Sequence, residues 1–312
     1  MVGEVPADSP TAADLLAGHP NAVYGVDWSS DGLLIASASL DNTVKLWDPA
    51  TGTLIARMPG HGDGVSAVVF SPDSKTLFSS SLDRSIKIWN VTSRSLTTTV
   101  SAHSMYVWAL AWSRDGKSVV SGSYDNSLSV WTPTGSKRQG VTPAKQPVLA
   151  VASAPASAGG YSVAGCKDSN AYLIDPDATK PRLTLTGHNG AIEGVVVSND
   201  GQTIFTGSQD KTIRGWNSRT GEVARVIEAH TTYVQCLALS SDGRQLASGS
   251  QSGEIRLWNA TNGRLLRSLT GHTNTVYSLA FSPDGKQLVS GSFDRSVKVW
   301  MTATGVRRTR AR

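Results

Sequence analysis

Short runs in which apolar and polar residues alternate fill this chain almost from end to end. In VYSLAF (276–281), QLVSGS (287–292) and SVKVW (296–300) the alternation has the period of two that a half-buried β-strand needs. Val297 and Val299 fall on one face and Lys298 on the other. Turn formers separate the runs. Asp-Gly pairs at 31–32, 115–116, 200–201, 242–243 and 284–285 suit tight hairpins that need positive φ. Thr-Gly pairs at 51–52, 134–135, 220–221 and 304–305 mark a further turn. Helix signals are absent, so the pattern predicts an all-β chain.

The runs also recur as a larger unit. Tryptophan stands at Trp47, Trp89, Trp131, Trp216, Trp258 and Trp300, always 42 residues apart except for one interval of 85 that hides a degraded copy with Ile174 in the tryptophan's place. The six histidines lie 28 residues before these tryptophans. Seven units therefore fill the chain, and a fixed period of this length predicts one repeat array rather than two ordinary domains.

The GH dipeptide, the Ser/Thr-x-Ser-x-Asp segment and the closing Trp together resemble the WD40 repeat, the four-stranded blade of a β-propeller. The resemblance covers about residues 11 to 300. The Trp-Asp dipeptide itself survives at Trp47-Asp48; elsewhere Asn, Thr or Met follows the tryptophan. It implies a single seven-bladed propeller. It also implies a buried hydrogen-bonded chain in each complete unit: His19, Ser37, Asp41 and Trp47; His61, Ser79, Asp83 and Trp89; His103, Ser121, Asp125 and Trp131; His188, Thr206, Asp210 and Trp216; His272, Ser290, Asp294 and Trp300. Unit four keeps Asp168 alone of this set, and its first hairpin is replaced by a flexible Ala-Ser-Gly stretch at 153–160. Unit six keeps His230, Ser248 and Trp258 but has Ser252 where the aspartate belongs.

Ser, His and Asp also invite a hydrolase reading. An active site occurs once, in a cleft with an oxyanion hole, whereas this trio recurs unit after unit. No enzyme is expected. Six histidines placed one per unit cannot converge on a metal, neither cysteine has CxxC spacing, and no phosphate-binding glycine loop opens a helix, so no metal or cofactor is expected either. The basic residue two before most tryptophans (Lys45, Lys87, Arg214, Arg256, Lys298) reads as a solvated strand face or as a stem covering apolar surface.

Three offsets near one rim scatter where the framework agrees. Five residues after the histidine stand Tyr24, Ser66, Trp108, Leu149, Glu193, Gln235 and Tyr277, and two residues earlier Ala22, Gly64, Tyr106, Ala191, Tyr233 and Thr275. Just before the turn aspartate, or its replacement, stand Leu40, Leu82, Tyr124, Lys167, Gln209, Gln251 and Phe293. Units seven, one, two and three thus carry an aromatic crescent facing a more polar half. The resemblance implies that this face and the channel mouth bind peptides. The expected partner-binding residues are Tyr24, Leu40, Leu82, Tyr106, Trp108, Tyr124, Glu193, Tyr233, Tyr277 and Phe293; aromatics are common interface anchors, and the competing reading is packing between loops. The chain is therefore expected to be a non-catalytic protein-protein interaction scaffold and a subunit of a larger complex, binding peptide segments or domains that place a basic residue at the channel mouth beside Glu193.

Charge changes this little. The net +5 draws four charges from Arg307, Arg308, Arg310 and Arg312, leaving about +1 for the repeats, 5 − 4. The remaining basic residues are spread by the repeat, which disfavours nucleic acid and leaves binding of nucleic acid or an anionic surface by the tail as the alternative, ahead of an enzyme sited in the channel. Cys166 and Cys236 lie in different units, no apolar run reaches ~20 residues, and the acidic start MVGEVPADSP does not read as a signal peptide. An intracellular protein, cytoplasmic and/or nuclear, is expected. Residues 1–10 read as a disordered arm, 11–305 as the propeller and 306–312 as a basic tail. Arg307 and Arg308 stand where other units have apolar outer-strand residues, so strand 11–16 is expected to complete the last blade and close the ring.

Overall fold

A computed structural model describes residues 13–15, 18–113 and 115–303. Its strands form seven antiparallel sheets of four, arranged as a β-propeller. The first blade runs Val23–Trp28, Ile35–Ser39, Thr43–Asp48 and Thr53–Pro59, from the channel outward, and the next five repeat that order. In the seventh sheet Val276–Phe281, Gln287–Ser292 and Val297–Met301 pair in turn, and the short strand Ala13–Leu15 lies against the last of them. Residues 1–12 and 304–312, which include the expected arm and basic tail, lie outside the described residues.

The core is not inside the blades but between them. A four-stranded sheet has two faces, and each is covered by its neighbour. Ala36, Val44 and Leu46 of blade one pack against Val65, Phe70, Leu77 and Trp89 of blade two. Val289, Val297 and Val299 of blade seven meet Val23, Val26 and Trp47 of blade one in the same way. Middle strands therefore read as buried on both faces, as in VVSGS (119–123), and outer strands expose Leu54, Leu96 and Leu265.

The turns follow their chemistry. Gly32, Gly116, Gly201, Gly243 and Gly285 take positive φ after their aspartates, and Ser74 carries the same strain in blade two, φ 60°. One expectation changes and one open choice is decided. The 153–160 stretch holds a 3₁₀ turn, Ala156–Ala158, ended by Gly159, and the Tyr161 hydroxyl beside it donates to the Gly201 carbonyl at 2.7 Å. Of the two readings for Lys45 and Lys87, the stem covering apolar surface holds and the solvated face does not. Lys45 reaches over the Trp47 ring, 5.8 Å from its centroid, and the Lys87 ammonium donates to Thr99 Oγ1, so each is buried beside the outer strand it pairs with.

Candidate functional site at the channel mouth

Each inner strand carries an extra residue at the same place. The pairing with the second strand slips between Val23 and Gly25, Val65 and Ala67, Val107 and Ala109, and Val148 and Ala150. It slips likewise between Ile192 and Gly194, Val234 and Cys236, and Val276 and Ser278. The residue inside each slip is a β-bulge, left out of the ladder and free to aim its side chain elsewhere. These seven residues, Tyr24, Ser66, Trp108, Leu149, Glu193, Gln235 and Tyr277, all line one cavity of about 250 Å³ at the centre of the ring.

The bulge brings side chains from different blades together. Tyr24 stacks on Tyr277, centroids 4.2 Å apart, and meets the edge of Trp108 at 5.5 Å across the small Ser66. Trp108 continues to Tyr124 at 5.4 Å and Tyr124 to Tyr106 at 5.9 Å, while Tyr277 reaches Phe293 at 6.3 Å. One chain of rings thus runs Phe293–Tyr277–Tyr24–Trp108–Tyr124–Tyr106 over blades seven, one and three. Trp108 and Tyr277 do not face each other across an open mouth; Tyr24 stands between them. Blades one and two add aliphatics, Leu40 and Leu82. A Cβ on Gly64 would fall 2.4 Å from Leu40 and 3.3 Å from Leu82, so glycine there lets the two leucines close together.

A recurring backbone bond explains why the other two offsets share this face. Leu40 N–H donates to Ala22, Leu82 to Gly64, Tyr124 to Tyr106 and Phe293 to Thr275. Tyr106 and Phe293 are exposed, 43% and 44%. Tyr233, also exposed, is on blade six and belongs to no ring contact among the described residues.

On the polar side Glu193 is partly buried and accepts a hydrogen bond from Gln209 Nε2 at 2.8 Å. Burial pushes its pKa up, against the Gln209 bond and the charge of Lys167. A second carboxylate lines the same cavity and escaped sequence reasoning. Asp27 accepts the N–H of Phe70 from blade two at 2.7 Å and its neighbour Trp28 N–H at 2.9 Å. Burial lifts it to about 7 despite those two bonds. Its signal was available: eight residues after the histidine the other units have Val69, Ala111, Ala152, Val196, Ala238 and Ala280.

The tryptophan, histidine, hydroxyl and aspartate side chains connect inside five blades. In blade one Trp47 Nε1 donates to Ser37 Oγ at 2.8 Å, Ser37 Oγ meets His19 Nε2 at 2.7 Å, and His19 Nδ1 meets Asp41 at 2.7 Å. Blades two, three, five and seven repeat the chain through Trp89, Ser79, His61 and Asp83; Trp131, Ser121, His103 and Asp125; Trp216, Thr206, His188 and Asp210; and Trp300, Ser290, His272 and Asp294. Donor rules assign the protons. Indole can donate and not accept, so the hydroxyl oxygen receives it and gives its own proton to Nε2; the histidine is then neutral, with Nδ1–H donating to the carboxylate. Burial agrees, holding His19, His103 and His188 below their ordinary value against the pull of their aspartates. Burial tends to raise Asp41, but the His19 and Thr43 hydrogen bonds outweigh it and hold it at about 2. Ser37, Ser79, Ser121, Thr206 and Ser290 have no exposed surface, so no substrate carbonyl can reach these hydroxyls.

Blades four and six depart. In blade four Tyr172 stands at the lysine's position and donates to Asp168 at 2.6 Å, while Ala164 and Ile174 fill the core. In blade six His230 Nε2 still meets Ser248 at 2.8 Å, but Nδ1 has no hydrogen-bond partner. Glu254, two residues past Ser252, brings its carboxylate to 3.5 Å and is itself held by Arg256 at 2.9 Å. Burial and the Arg256 charge push His230 down to about 4. Ser252→Asp should therefore stabilise the ring by ~0.5–1.5 kcal/mol in thermal melts at neutral pH, the worth of one restored buried hydrogen bond. A fall in melting temperature would mean that Glu254 already serves this histidine.

Among the described residues no group of His, Cys, Asp and Glu could hold a metal ion, Cys166 and Cys236 are buried free thiols, and no helix is long and apolar enough to cross a membrane. Comparison with known proteins gives one family. The WD40 family model, described as WD domain, G-beta repeat, matches residues 12–48, 52–90, 94–132, 179–217, 221–259 and 263–301, well over half of the chain. The stretch it leaves out, 133–178, holds most of the divergent fourth blade. Among curated proteins the chain is similar to the Notchless protein homolog of Arabidopsis thaliana, 38% identical over 69 residues, covering 22% of this chain and 15% of that protein. It is similar to THO complex subunit 6 of the same plant, 37% identical over 73 residues, 23% of this chain and 19% of the relative. The small ribosomal subunit protein RACK1 of Caenorhabditis elegans is 41% identical over 58 residues, 19% of this chain and 18% of that protein. The matched segments span less than a fifth of each relative.

Proposed function

This chain belongs to the WD40-repeat family, and from that premise we propose that it is a non-catalytic scaffold that captures partner proteins on the face around the channel mouth. The observation that carries the reading is the continuous chain of six rings, Phe293 to Tyr106, whose two ends are exposed. Rings that only packed between loops would be covered at the ends as well as in the middle. Their faces offer rigid apolar area at small entropic cost, which is what interface anchors supply. Leu40 of blade one and Leu82 of blade two extend the apolar surface around Gly64.

The partner segment carries a Lys or Arg among apolar residues. Glu193 supports this, because a carboxylate held back by burial gains most when a cation arrives to pair with it. Membership of a larger assembly draws support from relatives that are by name a THO complex subunit and a ribosomal subunit protein. The fully buried hydroxyls argue against a hydrolase. Free buried cysteines fit a reducing, intracellular compartment. For ring closure we read Ala13–Leu15 as the outer strand of blade seven, and the antiparallel register of Ala13 with Val299 and Leu15 with Val297 supports it.

Trp108→Ala should weaken partner capture by ~2 kcal/mol or more, about 30-fold, and Glu193→Gln should weaken basic partners selectively. Trp108 touches Tyr24 and Tyr124, so a small loss of melting temperature is expected with it. A change at exposed Lys286, outside the cavity lining, makes the control. Affinity purification with mass spectrometry, wild type against each variant, reads the effect. Partner sets unchanged in both Trp108→Ala and Glu193→Gln would place the working surface elsewhere.

A further inference from the structure

Of the residues lining the central cavity, Asp27 and Glu193 alone have carboxyl side chains, and no Lys, Arg or His lines it. Each stands where the other six blades are uncharged at the same offset. They also stand at different depths. Glu193 is among the bulge residues at the mouth, and Asp27 is three positions further along its strand, about 10 Å deeper at ~3.3 Å per residue. Between the two levels the lining is Gly, Ala, Val and Leu apart from Cys236 and Ser278.

Asp27 has a structural duty, since it accepts the Phe70 N–H from the open edge of the next inner strand. That duty does not require charge. Ser278 Oγ, two positions nearer the mouth, accepts an edge N–H of the following inner strand, that of Val26, at 3.0 Å with a neutral hydroxyl. Each Asp27 oxygen keeps a second acceptor site after its one backbone bond. Glu193 has Gln209 as a neutral partner, and the cation that acts on it, Lys167, is exposed and lies outside the cavity lining. Two carboxyl groups without a lining cation, separated by an apolar wall, with the rings of Tyr24, Trp108 and Tyr277 lining the mouth level beside Glu193, match a molecule that is charged at both ends and hydrocarbon between.

We propose that the channel binds a linear dication, an alkyl diamine or polyamine, with one ammonium at Glu193 at the level of the mouth aromatics and the other at Asp27. A protein lysine brings one ammonium and would leave Asp27 unmatched, so the ligand is the free amine. The site shares Glu193 with the docking surface but does not rest on it. Failure of Trp108→Ala to affect protein capture leaves the channel site standing, and failure of diamine binding leaves the docking surface standing.

Isothermal titration of the full chain at near-physiological salt, with α,ω-diamines of increasing length, spermidine and the matching monoamines, tests the proposal. The best diamine should bind about 10-fold or more tightly than the monoamine of equal length, and affinity should peak at one length. Glu193→Gln and Asp27→Asn should each reduce that diamine to the level of its monoamine, with melts confirming a folded ring. Should Asp27→Asn not fold, the length optimum in the wild-type chain and its loss in Glu193→Gln decide. Equal affinity for mono- and diamines, no length optimum, or undiminished diamine binding in either folded variant would overturn the dication site.

Discussion

Replacing Trp89 with alanine should lower the stability of the ring by about 3–5 kcal/mol, or roughly 10 °C in melting temperature. Three things are lost at once. The indole is 2% exposed and packs with Ala36, Leu46, Val65 and Leu77, so its removal opens a cavity where blades one and two meet. Its N–H, donating to Ser79 Oγ at 2.8 Å, disappears from the chain that ends at His61 and Asp83. Its ring edge also lies 3.0 Å from where a Cβ on Gly60 would be, at a backbone φ of 157°, so the approach to the histidine loop loses its floor. Trp89→Phe separates these contributions. Phenylalanine keeps most of the apolar area and removes the N–H, and should cost nearer ~1 kcal/mol for the hydrogen bond plus the smaller volume. The same pair of changes at Trp131 or Trp216 should give similar values, because the geometry repeats. Differential scanning calorimetry of the six variants measures this; a Phe loss as large as the Ala loss would mean that the hydrogen-bonded chain, not the packing, supplies most of what the tryptophan contributes.

Periodicity made the architecture legible because each framework residue has a fixed partner inside its own repeat. His19, Ser37, Asp41 and Trp47 sit at offsets that recur, and three strands with two tight turns always bring those offsets together. The bulge was not legible. One extra residue in every inner strand leaves the 42-residue period unchanged, and it is this residue that turns Tyr24 and Trp108 into the channel. Asp27 was missed for the opposite reason. Attention to offsets that scatter passes over an offset where six units agree on Val or Ala and one departs. For Lys45 and Lys87 the sequence leaves two readings open, a solvated face and a stem covering apolar surface. In the fold their stems lie buried beside the outer strands, with Lys45 reaching over its tryptophan ring and Lys87 bonded to Thr99. Glu254 escaped because a carboxylate two residues late looks like a missing aspartate until the turn around Gly253 is seen, φ 90°.

Deleting residues 1–18 should destabilise the whole ring by several kcal/mol, while deleting 306–312 should change the melt little. The difference follows from what each segment leaves behind. In blades one to six an outer strand covers the edge of the tryptophan strand, as Thr53–Pro59 covers Thr43–Asp48. In blade seven the segment against Val297–Met301 is Ala13–Leu15, nearly three hundred positions away in sequence. Removing it unpairs backbone groups along that edge, each worth ~0.5–1.5 kcal/mol when left unmet. It also frees the last blade to drift from the first, where Val289, Val297 and Val299 pack on Val23, Val26 and Trp47. A ring fails differently from a stack: opening one junction exposes an apolar blade face on each side of the gap as well as an unpaired strand edge. Chemical denaturation should therefore show a lower midpoint for the 1–18 deletion, and adding the missing segment back as a peptide should restore part of the loss. The tail carries Arg307 and Arg308 at the offset of Leu265 and Leu266, which are exposed in blade six, so the expectation rests on the pairing of Ala13–Leu15 with that edge rather than on the charge of the tail. Equal melting temperatures for the two truncations would refute closure by the N-terminal strand and require the last blade to hold its edge by another route.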